Sequence, residues 1–209
     1  MRQLEFWETA LRDGQQSLWA TRMTTPMIAP IAPILGQAGY WCLEVMSGAV
    51  YEASYYYNAE EPWERVRLIA RSSNDTHVAA IVRSLSIFGW STLPDEVFPF
   101  AMRVLAKNGI TLINLFDGLN DIANIAEPLK CAKEVGLHTA ATLIFTESPL
   151  HTDQYYIKKV QDLLSLGCDS IILEDASSLM TTVRVRSLIP KIRSLIGDQA
   201  FFHFQTHCA

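Results

Sequence analysis

The sequence predicts an α/β fold in which short strands and longer helices alternate and the strands form one parallel sheet. Three observations predict it. Hydrophobic period switches repeatedly between short β-rich runs and helical stretches. Glycine closes most of the helical stretches, at Gly39, Gly109, Gly136, Gly167 and Gly197. Polar residues stand at the ends of the first, second, third, fourth, sixth and seventh strands, and such ends converge only if the sheet closes into a ring. A parallel (β/α) TIM-type barrel is therefore favoured over an open doubly wound sheet, for which no glycine-rich phosphate turn is present. A full barrel needs eight strands and typically about 250 residues. The alternation yields about seven strands and six helices, so the expectation is an incomplete barrel, with residues 1–209 as a single partial domain.

The first strand is the run Leu4-Glu5-Phe6-Trp7, and it feeds Glu8-Thr9-Ala10-Leu11-Arg12-Asp13-Gly14-Gln15-Gln16-Ser17-Leu18. A helix over Thr25 to Ala38 follows, kinked or broken because Pro30 and Pro33 remove backbone donors. Trp41 to Val45 is a second strand, and Tyr51 to Tyr57 a loop or short helix over the sheet end. Pro62 opens the next helix at the favoured first-turn position. His77 to Val82 is a third strand that delivers Arg83, and Leu93 to Asn108 a helix. Thr111 to Phe116 is a fourth strand, after which Asp117 and Asn120 are placed to cap the helix running to Val135. Thr139 to Phe145, a helix over His151 to Leu166, and Asp169 to Leu173 with Glu174 and Asp175 at its end come next. A helix over Met180 to Ile196 and a strand over Ala200 to His207 close the series.

A net charge of -5 and no basic stripe leave no electrostatic footprint for nucleic acid. No apolar run has the length of a membrane span, and the first residues lack a signal-peptide pattern. The cysteines, Cys42, Cys131, Cys168 and Cys208, are scattered and read as buried thiols of a reducing compartment. The expectation is a soluble, cytoplasmic protein.

Beyond composition, particular stretches resemble a known family. Thr9-Ala10-Leu11-Arg12-Asp13-Gly14-Gln15-Gln16-Ser17-Leu18-Trp19-Ala20-Thr21-Arg22-Met23, Gly39-Tyr40-Trp41 with Leu43-Glu44-Val45, and Glu61-Pro62-Trp63-Glu64-Arg65 carry the likeness. So do Arg83 with Gly89, Phe116-Asp117-Gly118-Leu119-Asn120-Asp121, Ser148-Pro149 with His151-Thr152 and Tyr155-Tyr156, and Thr206-His207. The chain resembles the carboxyltransferase domain of biotin-dependent pyruvate carboxylase, of the transcarboxylase large subunit and, most closely, of the oxaloacetate decarboxylase alpha subunit. These are metal-dependent TIM barrels related to hydroxymethylglutaryl-CoA lyase.

The resemblance implies exchange of a carboxyl group between carboxybiotin and the enol form of a 2-oxo acid, pyruvate or oxaloacetate. A zinc or manganese ion would stabilise the enolate as a Lewis acid. It implies that Arg12 and Gln16 face the substrate and that Arg83 holds its carboxylate with a bidentate guanidinium. Its metal ligands correspond to Asp13, Glu174, Gln205 and His207. Here Glu174 stands where the family carries a carbamylated lysine, Gln205 replaces the first of two histidines, and Cys208 replaces an aspartate. Gln15 takes the place of a histidine or glutamate. Asp13, Glu174 and His207 could still hold a cation with Gln205 as a weak ligand, or Glu174 and Gln205 could form a metal-free polar layer with Arg12. Whether the chain is an enzyme stays open at this point, with weak or absent metal expected.

No Met-Lys-Met biotinylation site is present, so carboxybiotin would come from another chain, a biotin carrier protein. Two other functions stay open: a catalytically silent paralogue or fragment acting in assembly, and a biotin-independent metal-dependent lyase or aldolase. An incomplete barrel leaves unpaired edges, so a homo-oligomer or a partner covering the open side is expected.

Overall fold

The computed structural model describes residues 4–73 and 75–207, and Cys208, singled out above, lies outside them. Seven parallel strands form one sheet in sequential order: β1 (Trp7–Glu8), β2 (Cys42–Met46), β3 (His77–Arg83), β4 (Leu112–Phe116), β5 (His138–Ile144), β6 (Ser170–Asp175) and β7 (Phe201–Thr206). The sheet curls until the ring of Trp7 in β1 lies 5.3 Å from that of His203 in β7, yet the two strands do not pair. This is the expected incomplete TIM-type barrel.

Nine α-helices stand among the described residues where six were expected. The long first helix does not form. Pro30 and Pro33 split it into α2 (Thr25–Ile28) and α3 (Ala32–Gln37), and α1 (Gln15–Leu18) precedes them. The run around Tyr51 to Tyr57 is a true helix, α4 (Gly48–Tyr56), capped by Ser47 Oγ accepting from Val50 N. Gly48 is required there, because a Cβ would stand 2.5 Å from the carbonyl oxygen of Phe88. The remaining helices are α5 (Pro62–Ser72), α6 (Val97–Lys107), α7 (Ala123–Glu134), α8 (Asp153–Leu166) and α9 (Thr182–Ile196). No helix is long and apolar enough to cross a membrane.

Strand alternation divides the side chains into two sets. One set packs against the helices as the main core, including Leu43, Val45, Val78, Ala80, Ile113, Leu115, Ala141, Leu143 and Ile171. The other set points into the barrel, where Cys42, Ala79, Leu112, Ala140 and Ile172 form a smaller apolar cluster with Trp7 and Trp41. Residues above and below this cluster decide what the interior can do.

Candidate functional site

The rim begins where β1 ends. The backbone over Ala10–Gly14 winds as one π-helical turn, with the amides of Arg12, Asp13 and Gly14 all donating to Thr9 O. Such wide turns are frequent at functional sites, because they re-aim side chains that an α-turn would place elsewhere. Here the turn sends Arg12 and Asp13 toward the barrel mouth. Arg12 Nε donates to Glu44 Oε1 at 2.5 Å, and its Nη1 lies 3.2 Å from Asp13 Oδ1. Glu44 Oε2 accepts from Asn114 Nδ2 at 3.3 Å, and Asn114 Oδ1 accepts from Thr142 Oγ1 at 2.6 Å. Asn114 reaches Glu44 across the intervening strand β3.

Across the open seam, His207 Nε2 stands 3.6 Å from Asp13 Oδ2. Glu174 lies in the same group of charges. Burial holds its carboxyl above the ordinary range, Arg12 and His207 oppose this, and Glu44 and Asp13 add to it. Burial disfavours charge on Arg12, but Glu44 and Asp13 outweigh it and hold the guanidinium above its ordinary value. Glu174 and Asp175 are the last residues of β6 itself, not of the turn after it, so Glu174 faces the interior opposite Gln205 of β7. A cleft of about 650 Å³ between β1 and β7 is lined by Asp13, Gln205 and His207 at the rim and by Trp7 and His203 deeper down. Arg12, Asp13, Glu174, Gln205 and His207 are thus gathered at one end of the barrel.

Arg83 sits at the same end, but its head group turns away. Nη1 donates to Gly89 O at 2.9 Å, and the guanidinium carbon lies 4.2 Å from the centre of the Trp90 ring. Trp90 Nε1 in turn donates to Glu52 Oε2 at 3.1 Å. The loop is held in that shape by reciprocal backbone bonds between Arg83 and Ile87, with Ile87 forced to φ 52. Gln16 is exposed on α1, and its side chain forms no hydrogen bond to the described residues. Its neighbour Gln15 is the buried one, bonding Leu11 O and Met23 N to fasten the turn.

Asn120 corrects another expectation. It does not cap the following helix but grips β5, with Nδ2 donating to Ile144 O and Oδ1 accepting from Ile144 N, both at 2.8 Å. Asp117 ties the turn instead, accepting from the amides of Leu119 and Asp121 and from Asn124 Nδ2.

Among the described residues no group of three or more His, Cys, Asp or Glu side chains is arranged to hold a metal ion. Asp13 Oδ1 is taken by Arg12, and Gln205 supplies only an amide, so the donor set as placed does not fit a tetrahedral cation. Sequence reasoning missed Glu44 and Asn114 as site residues. Interior polar residues two apart from apolar ones on short strands were the available signal, but without the register no partner could be assigned to them.

Known proteins share this outline, although no family model matches the chain. A pyruvate carboxylase subunit of Methanocaldococcus jannaschii is 33% identical over 201 residues, 96% of this chain and 35% of that protein. The methylmalonyl-CoA carboxyltransferase 5S subunit of Propionibacterium freudenreichii is 31% identical over 206 residues, 99% of this chain and 41% of that protein. Among solved structures, the carboxyl transferase domain of Rhizobium etli pyruvate carboxylase with pyruvate superposes with TM-score 0.93 at 29% identity, over 99% of this chain and 36% of that one. The chain therefore spans well under half the length of the relatives it matches. Along nearly its whole length, and in the same curled parallel sheet, the chain is therefore similar to the carboxyltransferase part of the pyruvate carboxylases.

Proposed function

We propose that this chain provides the acceptor side of a biotin-dependent carboxyl transfer, acting on pyruvate or oxaloacetate with carboxybiotin carried by another chain. The observation that carries it is the fixed Arg12 guanidinium at the barrel mouth, flanked by Asp13, Glu174 and His207. A guanidinium held among buried carboxylates is placed to meet the oxygen on which negative charge develops when a 2-oxo acid enolises. In the carboxylation direction the enolate carbon forms a bond to the carboxyl carbon as the biotin N–C bond breaks; decarboxylation of oxaloacetate runs the reverse. Arg12 and Gln16 are the proposed substrate contacts. Arg83 is proposed to bind the substrate carboxylate with donors its Gly89 bond leaves free, once the Trp90 stack admits a ligand.

No step is assigned to a metal, since the donors as placed do not fit one. Metal content by mass spectrometry and oxaloacetate decarboxylation with and without added biotin test the reading together. Biotin-stimulated decarboxylation lost in Arg12→Lys supports it. Turnover indifferent to biotin points to a biotin-independent lyase, and no turnover with carrier and biotin present points to an assembly role. A homo-oligomer, or a partner that covers the seam between β1 and β7, is part of the proposal, as is a cytoplasmic location. Leu4, Phe6, Phe201 and Phe204 leave apolar surface exposed along that seam.

A further inference from the structure

We propose that Glu44 is the positioning residue of this site, holding the Arg12 guanidinium in the orientation that receives a 2-oxo acid through a buried relay that begins at Thr142. The inference rests on the carboxyltransferase reading for the ligand of Arg12, and on geometry alone for the relay.

The relay has a direction. A carboxylate only accepts, so Glu44 fixes which end of the Asn114 amide faces it, and the amide oxygen is left to accept from Thr142 Oγ1. The amide nitrogen donates to Glu44 Oε2, which leaves Oε1 for Arg12 Nε. Turning the amide over would face its NH2 to the hydroxyl and its oxygen to a carboxylate, so the Glu44 contact would become repulsive. Glu44 is 1% exposed, Asn114 2% and Thr142 0%, so water offers these groups no easy alternative partner.

The far end of the relay is the functional one. Held through Nε by Glu44 and through Nη1 by Asp13, Arg12 keeps Nη2 without a bond to the described residues. The planar head group therefore presents a free edge in a set direction. Asp13 alone would not fix it, because a single contact on Nη1 permits rotation about the long side chain. The second contact, on Nε, removes that freedom, and pre-set orientation is what bidentate recognition of a carboxylate or enolate requires. Both Glu44 oxygens are already engaged, so its role is exerted through Arg12.

The test uses the whole 209-residue chain as wild type, Glu44→Gln and Thr142→Val. Three readouts are taken: thermal melting, the Nε–Hε resonance of Arg12 by NMR, and dissociation constants for pyruvate and for oxamate. Glu44→Gln is expected to stay folded, to lose the low-field Arg12 Hε position, and to weaken both acids by about tenfold or more. The replacement amide cannot accept from Arg12 and from Asn114 at once, which is why the conservative change does not rescue. Thr142→Val is expected to weaken both acids about two- to fivefold by freeing the Asn114 amide. A purely structural ion pair would lower melting temperatures while leaving acid affinity in the folded fraction unchanged. A folded Glu44→Gln that binds within twofold of wild type overturns the inference and leaves the carboxyltransferase reading intact. Wild type that binds neither acid overturns both. Should Glu44→Gln fail to fold, unchanged affinity and an unchanged Arg12 resonance in Thr142→Val overturn the inference.

Discussion

The mouth and the floor of this barrel are built by the same strands, on the same face, a few residues apart, and they hold opposite chemistry. At the mouth, Arg12 is bonded to the carboxylates of Glu44 and Asp13, with Glu174 and His207 beside them. At the floor, Trp7, Trp41, His77, His138 and His203 make a stack of rings, with Trp41 4.8 Å from His203 and 4.9 Å from His77. Three imidazoles meet there, and among the described residues no carboxylate is bonded to any of them. Their polar atoms are met by hydroxyls: Thr111 Oγ1 for His77, and Ser170 Oγ for both His138 and His203. Burial pushes all three below the ordinary imidazole range, His203 to about 4. Burial alone does not decide whether a titratable group is charged. Bonded partners matter too: the rings of the floor are bonded to hydroxyls, with Asp169 acting on His138 without a bond, whereas Arg12 at the mouth is bonded directly to carboxylates.

The sharpest way to break this contrast is to remove the cation of the mouth. Arg12→Ala leaves Glu44 buried without its partner, and the expected loss of stability is about 3–5 kcal/mol. Denaturant unfolding checks it, and Arg12→Ala with Glu44→Leu should recover most of the loss. A single variant as stable as wild type would show that the ion pair does not hold the rim. Next comes the grip of Asn120 on β5. Asn120→Ala strips partners from both backbone groups of Ile144 and places alanine at φ 56, for an expected loss of about 2–3 kcal/mol.

The floor is tested by acid. Unfolded histidine takes its proton near pH 6.5, whereas folded His203 waits until about 4. Between these values the unfolded state binds more protons, so stability falls as pH falls through that window, by about 1–3 kcal/mol from this ring. Unfolding midpoints at pH 7 and pH 4.5 should therefore separate wild type from His203→Phe, the variant losing less on acidification; equal losses would refute a neutral, buried imidazole. The smallest effect is expected far from both regions. Lys158→Ala removes an exposed ion pair to Asp162 one helical turn away, at a cost of about 0.5 kcal/mol or less.

Much of the architecture was legible before any coordinates. The strand runs, the glycines that end helices, and the break at Pro30 and Pro33 depend on local backbone chemistry, which a short window of residues contains. Boundaries were less so: Glu174 and Asp175 were expected after the sixth strand and belong to it, because pairing with β7 extends the ladder over residues of low strand propensity. Asn120 was expected to serve its own helix, as asparagine before a helix commonly does, and a strand 24 residues away claimed it instead. Gln15 and Gln16 are indistinguishable in type; one is buried and fastens the turn, while the other is exposed.

Residue type and period by themselves determined that this chain makes parallel strands with polar ends, and that Arg12, Asp13, Arg83, Glu174 and His207 are candidates for one rim; the family resemblance added Gln205. Only the tertiary structure decided that Glu44 holds Arg12, that Trp90 stacks on Arg83, and that three histidines share a floor where hydroxyls meet their ring nitrogens. The reason is physical. Periodicity states which face a side chain takes, but its partner depends on register and on the curl of the sheet, which bring together groups 32 and 70 residues apart in the chain.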